Sequence, residues 1–303
     1  MPAWALVHRG ANQALPKATE EPGTQPGQPY SGLELLGLPW GSVARGAAPG
    51  AGDAWRLERR DDGVAVLTLD TLARDLDDFE DFLEPTFASL AEQPPSALVV
   101  DLRRNGGGDS RLGDELLQYL SDVPWRQAAR KEWKVSARLK QHLKSLLPAW
   151  IRWLPVWYLH PMGRKLWRTP EGEVAFFEEE RVTPRREPLR FSGPLAWLIG
   201  PETFSAAVGL AAGAEDCRRG LRVGAETGGV INGFGEVYPL RLPHTRLGAQ
   251  VSTAFFVRAN GDASVRGGVQ PDVAVWPAPG ERGDPVLDAA IRALLDPDAL
   301  ARK

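Results

Sequence analysis

Residues 195–209 read LAWLIGPETFSAAVG: five apolar residues, a Gly-Pro break, and a run of small residues beginning at Ser205. A short apolar run without alternation fits a strand buried on both faces, and the small residues after Thr203 and Ser205 fit a helix start. An earlier stretch, ALVVDLRRNGGGDS (97–110), has the same construction. It passes from a buried strand, bounded by Pro94 and Pro95, through a glycine turn into a helix that Asp109 and Ser110 are placed to cap. Working outward, GVAVLTL (63–69) reads as a strand and 75–93 as an amphipathic helix with Phe79, Phe82, Leu83, Phe87 and Leu90 on one face. LRVGAETGG, GEVYPLRL and GAQVSTAFFVRANG read as further strands, and the tail DPVLDAAIRALLDPDAL as a helix. Strands alternating with helices predict an α/β domain with a parallel or mixed sheet.

The chain has 303 residues, 43% hydrophobic and 25% charged, enough for one large α/β domain or two small ones. Its formal net charge of −3 argues against nucleic acid as the partner, because phosphate binding needs a basic surface. The single cysteine, Cys217, allows no internal disulfide and no multi-Cys metal site, and reads as a small, partly buried side chain. No cofactor and no metal are expected. Residues 1–53, rich in Pro, Gly and Ala, read as a poorly ordered leader with no secretory signal, and no apolar run is long enough for a membrane span. Taken with Met1 as its start, the chain is expected in the cytoplasm; a start further upstream would allow export.

Two readings of Ser205 stay open on chemistry alone. Its hydroxyl would cap the helix, contributing about 1 kcal/mol. Alternatively it is a nucleophile, since a helix N-terminus offers free N–H groups and partial positive charge beside a developing oxyanion. Gly106, Gly107 and Gly108 allow close approach and convergent N–H groups, the kind of donor set an acyl-transfer enzyme needs, but also suit a tight turn.

VVDLRRNGGG, then TFSAA, then VGAETGG, then GGVQPDVAV occur in the order found in the tail-specific (C-terminal processing) serine peptidase family, relatives of the tricorn core and of retinoid-binding proteins, and the chain resembles that family over residues 55–277. The stretch ETGGVINGFGEVYPLRLPHTRLGAQVSTAFF is similar to a bacterial subgroup. The resemblance implies a ClpP/crotonase-like α/β core in residues 54–280, followed by a C-terminal helix in 281–303, and peptide-bond hydrolysis on a peptide or protein substrate. It places Ser205 at the nucleophile and the N–H groups of Gly107 and Ala206 at the oxyanion hole, with Asp101, Arg103 and Asn105 as structural residues of the turn. The sequence departs from the family at the base. Many members keep a lysine about 25 residues after the serine, whereas the only lysine after Ser205 here is Lys303. Others use an early histidine with a glutamate just before the G-V-x-PD motif, and no acid sits at the corresponding position, around Val265. Of the local groups, His244 is the expected base; Glu226 reads as part of the turn, Glu236 as a partner of a neighbouring loop, and His8 lies in the leader. The alternatives are a non-catalytic peptide- or lipid-binding protein on a degenerate peptidase fold, and acyl-CoA chemistry on the shared crotonase fold.

An insert over 126–180 is not required by the family pattern. Residues 126–168 hold eleven Lys or Arg against one acid, Glu132, with Trp133, Trp150, Trp153, Trp157 and Trp167. KEWKVSARLKQHLKSLL reads as a basic amphipathic helix. The insert is open to three readings: a lid over the cleft, an element lying on an anionic membrane surface, or a solvated packing element.

Overall fold

The computed structural model describes residues 54–145, 149–185, 188–277 and 282–296. The leader 1–53 lies outside the described residues, as do residues 297–303 of the expected tail helix, whose described part ends at Leu295.

Two sheets build the molecule. The first contains β1 (Trp55–Arg59), β2 (Val64–Leu69), β3 (Ala97–Asp101), β6 (Leu195–Ile199), β7 (Leu221–Gly224) and β10 (Val273–Ala274), side by side in that order. β1 pairs antiparallel with β2, and the other neighbours are parallel. The strand order never reverses, so right-handed crossovers carry their helices to one face. That face holds α1 (Leu76–Glu92), α2 (Ser110–Leu120) and α5 (Ala206–Asp216), packed with Leu67, Leu69, Leu98, Val100, Trp197 and Ile199. The alternate residues Val64, Val66, Ala97, Val99, Ala196, Leu198 and Val223 point the other way and are covered by α6 (Pro285–Leu295) through Val286, Ala290 and Leu294. Both faces are therefore apolar, which is why ALVV and LAWLI run without a polar alternate. Asp75, Asp109 and Asp284 cap α1, α2 and α6 with their side chains.

The second sheet is antiparallel, in the order β5 (Val174–Glu178), β4 (Ala128–Lys134), β9 (Gly248–Arg258), β8 (Gly233–Arg241). Here the sequence reading of the insert is corrected. KEWK is the end of strand β4, and helix α3 starts only at Ala137 and runs to Ser145. The pairing of β4 with β5 and β9, which lie well down the chain, overrides the local charge pattern. Lys131 pairs across to Phe177 and Phe256, and Trp133 to Ala175 and Ala254, so these six share one face. Its Trp133 end is closed by α3 and by α4 (Pro161–Arg168) in a small apolar core with Val135, Leu139 and Leu166. Its Lys131 end faces the first sheet. Among the described residues no helix is long and apolar enough to cross a membrane.

Candidate active site

The two strand–turn–helix stretches lie against each other because β3 and β6 are neighbours. Thr203, fully buried, donates its hydroxyl to Leu102 O (2.8 Å) and accepts from Gly200 N–H (3.1 Å). Phe204 N–H donates to Asn105 O (2.9 Å). Asn105, also fully buried, donates Nδ2 to Leu69 O and accepts Gly107 N–H at Oδ1, both at 2.9 Å. Arg103 grips Asp101 and the α6 cap Asp284, reaching Asp284 at 2.7 and 2.8 Å. Asp101, Arg103 and Asn105 thus occupy the structural places expected of them.

These bonds seat the glycine turn directly on the serine. A Cβ on Gly107, whose φ is +98°, would lie 2.7 Å from both Phe204 O and Ser205 Cβ. Gly229, from the TGG turn, closes the other side, with Ser205 N 3.1 Å from where its Cβ would be. Ser205 itself takes φ 52° and ψ −123°, a conformation rare for a residue with a side chain. It stands at the N-cap position of α5, yet its side chain makes no capping hydrogen bond. The capping role that the sequence left open is therefore not the one the hydroxyl performs.

Ser205 and Ala206 line a cavity of about 510 Å³ between the two sheets. The glycine turn and α2 contribute Gly108, Asp109 and Asp114, β4 and its approach contribute Arg126, Gln127 and Lys131, and the segment after β5 contributes Glu179 and Glu180. Gly233–Glu236 of β8 and Phe256 of β9 complete the wall. Ala206 N–H is the first of α5 and has no carbonyl one turn back to accept it. The N–H expected beside it from the sequence, that of Gly107, is not free. Gly107 N–H is committed to Asn105, whereas Gly107 O and Asp109 N–H bond Leu72 and leave Gly108 N–H on the opposite side, without an acceptor among the described residues.

The opposite wall carries charge. Lys131 Nζ lies 3.3 Å from Glu179 and 3.7 Å from Glu236, and above the Phe256 ring at 5.3 Å. Burial pushes the Glu236 carboxyl above the ordinary carboxylate range; Lys131 pulls against this and Glu179 adds to it. Burial raises Asp114 in the same way, against hydrogen bonds from Gln127 and Trp125, and Glu179 again adds to the rise. The Oε1 of Gln127 is buried against Gly209 of α5, with no partner among the described residues.

His244, the base expected from the sequence, is not brought to Ser205. β8 leaves the cavity at Glu236 and continues to Arg241, about 17 Å at ordinary strand rise. His244 then sits exposed in the turn that leads into β9. The other histidine weighed, His8, lies outside the described residues. Glu226 accepts Gly268 N–H at 2.7 Å and ties the TGG turn to the GGVQPD stretch; hydrogen bonds from Gln270 and Gly268 hold it below the usual range. Cys217 is partly buried, as expected. Lys131, Asp114, Gln127 and Glu179 were not legible as site residues, since the pairing of β4 with β5 and β9 is what carries them to the cavity.

The helical part of the insert, residues 137–168, contributes nothing to the cavity lining. Only the start of β4 and the residues after β5 reach the cavity from the insert.

Comparison with known proteins agrees with this geometry. The model of peptidase family S41 matches residues 63–275. A Parabacteroides merdae protein assigned as a peptidase superposes with a TM-score of 0.56 at 18% identity, covering 80% of this chain and 64% of that one. Mature CPAF, in its complex with lactacystin, superposes with a TM-score of 0.52 at 19% identity, covering 73% of this chain and 49% of that one. This chain thus spans about half to two thirds of the length of these structures. No curated protein matches the chain. The matched model covers all four motifs as well as the strands and turns that bring Ser205 to the cavity, and the chain belongs to peptidase family S41.

Proposed function

We propose that the protein hydrolyses peptide bonds through an acyl-enzyme on Ser205. The observation that carries this reading is the serine itself. Its side chain is exempt from capping, its backbone is held in a strained conformation, and it faces a cavity beside the unpaired N–H groups of Ala206 and Gly108. Its Oγ attacks the scissile carbonyl, and those N–H groups receive the negative charge that develops on the carbonyl oxygen. Donors fixed in advance at that position contribute about 2.7–4 kcal/mol each to the transition state. The test is turnover of an unstructured protein such as casein by the full chain and by Ser205→Ala. Loss of turnover in the variant supports the reading. Peptide binding without turnover in either form would favour the non-catalytic alternative.

A second activity, docking on an anionic membrane surface, is favoured by the insert. Trp150, Trp153 and Leu159 are 75%, 76% and 83% exposed, and Arg138, Arg164, Lys165 and Arg168 are exposed on the two adjoining helices. Aromatic residues with basic neighbours suit the lipid headgroup region.

A further inference from the structure

A serine hydroxyl attacks slowly unless a neighbouring group takes its proton. That group must reach the same cavity and carry a free lone pair. Lys131 meets two carboxylates as an ammonium donor, an arrangement with no lone pair to offer. Asp109 caps α2 and is bonded to Arg111 at 2.5 Å. Asp114 accepts Trp125 Nε1–H at 3.0 Å. Glu179 is the nearer partner of Lys131, and its carbonyl accepts from Arg126.

Glu236 differs in its backbone. It is held at φ 51°, left-handed for a residue with a side chain, at a break in the β8–β9 ladder. Gly235 pairs with Ala254 and Val237 with Ser252 in one unshifted register, so Glu236 stands opposite Thr253, whose Oγ1–H fixes the Glu236 carbonyl at 2.5 Å. Residues with side chains held in this left-handed conformation gather at active sites. Moreover, Glu236 ends the segment that begins at Gly229 against the Ser205 backbone, and Val230, Ile231 and Gly233–Glu236 all line the cavity.

The geometry points to Glu236 as the general base for Ser205, with Lys131 as its positioning residue; this rests on the peptidase reading of Ser205. As the Oγ–C bond forms, the hydroxyl proton passes to the Glu236 carboxylate and the carbonyl π pair moves onto oxygen. When the carbonyl reforms, the C–N bond breaks and Glu236 gives the proton to the leaving amine. Water then attacks the ester with its proton going to Glu236, which returns it to Oγ as the acid product leaves. The raised proton affinity of Glu236 strengthens it for this task. The charged groups sharing its cavity are Lys131 and Arg126 from β4 and its approach, Glu179 and Glu180 after β5, and Asp109 and Asp114 at α2.

The experiment is the rate at which a fluorophosphonate labels the full chain, followed across pH, for wild type, Glu236→Gln and Lys131→Met, with Ser205→Ala as blank. The expected result is a wild-type rate that rises with pH through a midpoint above the ordinary carboxylate range. Glu236→Gln should lower the rate roughly 100-fold or more and remove the rise. Lys131→Met should move the midpoint upward, because loss of the cation raises the carboxyl further. Ser205-dependent labelling that keeps its rate and pH profile in Glu236→Gln overturns this inference and leaves the peptidase reading standing. Should Glu236→Gln not fold, an unshifted midpoint in Lys131→Met overturns it equally. Labelling that does not depend on Ser205 overturns both.

Discussion

Ser205 shows how far one residue's role depends on contacts distant in sequence. TFSAA is compatible with a capped helix and with a nucleophile, because both need a serine at a helix start with small residues after it. What separates them is a backbone angle of φ 52°, imposed by Thr203 on Leu102, Phe204 on Asn105 and Gly107 against the serine Cβ. Such a conformation costs about 1–3 kcal/mol and persists only where its surroundings force it. Two stability measurements follow. Because the hydroxyl makes no capping bond, Ser205→Ala should leave urea unfolding within about 0.5 kcal/mol of wild type, whereas loss of a working N-cap would cost about 1 kcal/mol. Gly107→Ala meets both a positive φ and a Cβ 2.7 Å from Phe204 O, and should lower stability by at least about 1 kcal/mol and displace the serine, abolishing turnover. The oxyanion donor shows the limit of motif reading in the same way: a run of three glycines does not say which N–H is committed to Asn105 and which is left over.

At the scale of elements, those with a local signature were legible. The buried strands β2, β3 and β6, the helix with five apolar residues on one face and the capped starts of α2 and α6 are each specified by their own residues. β4 was not, because its Arg and Lys residues suit a helix locally and only the distant strand β9 makes it a strand. α6 also holds the site from behind. Asp284 bonds Leu287 N–H as its cap (3.0 Å) and Arg103 of the glycine turn (2.7 and 2.8 Å). Burial pushes Asp284 up, but Arg103 and the N–H groups of Leu287 and Val286 together hold the carboxyl below its reference value of 3.8. A depressed carboxylate contributes stability that is present above that reference and lost as pH falls through the lower folded value. Asp284→Ala should therefore cost about 1–2 kcal/mol near neutral pH, from the cap and a partly exposed ion pair together. In urea titrations, its deficit against wild type should shrink below about pH 4. A deficit that does not change with pH would mean that the carboxylate charge plays no part.

Over the whole molecule, the fold class followed from the alternation of strands and helices, while the division into two sheets and the wall facing Ser205 did not. Lys131, Glu179 and Glu236 are widely spaced in the chain and meet only when β5, β4, β9 and β8 assemble. The insert therefore has two ends with different consequences: its strands complete the cavity, and its helices carry exposed tryptophans away from it. If the helical end docks on membranes, the protein should sediment with phosphatidylserine vesicles at low salt and not with pure phosphatidylcholine. Replacing Trp150 and Trp153 with Ala should abolish that sedimentation without changing the labelling of Ser205. Equal sedimentation by the double variant would refute the docking surface.

The central claim is that Ser205 is the nucleophile, and peptide mapping by mass spectrometry after treatment with a fluorophosphonate tests it most directly. The account predicts a single adduct, on the peptide carrying Ser205, that is absent from Ser205→Ala. An adduct on another residue that survives in Ser205→Ala, or no adduct on the folded wild-type chain, would contradict it.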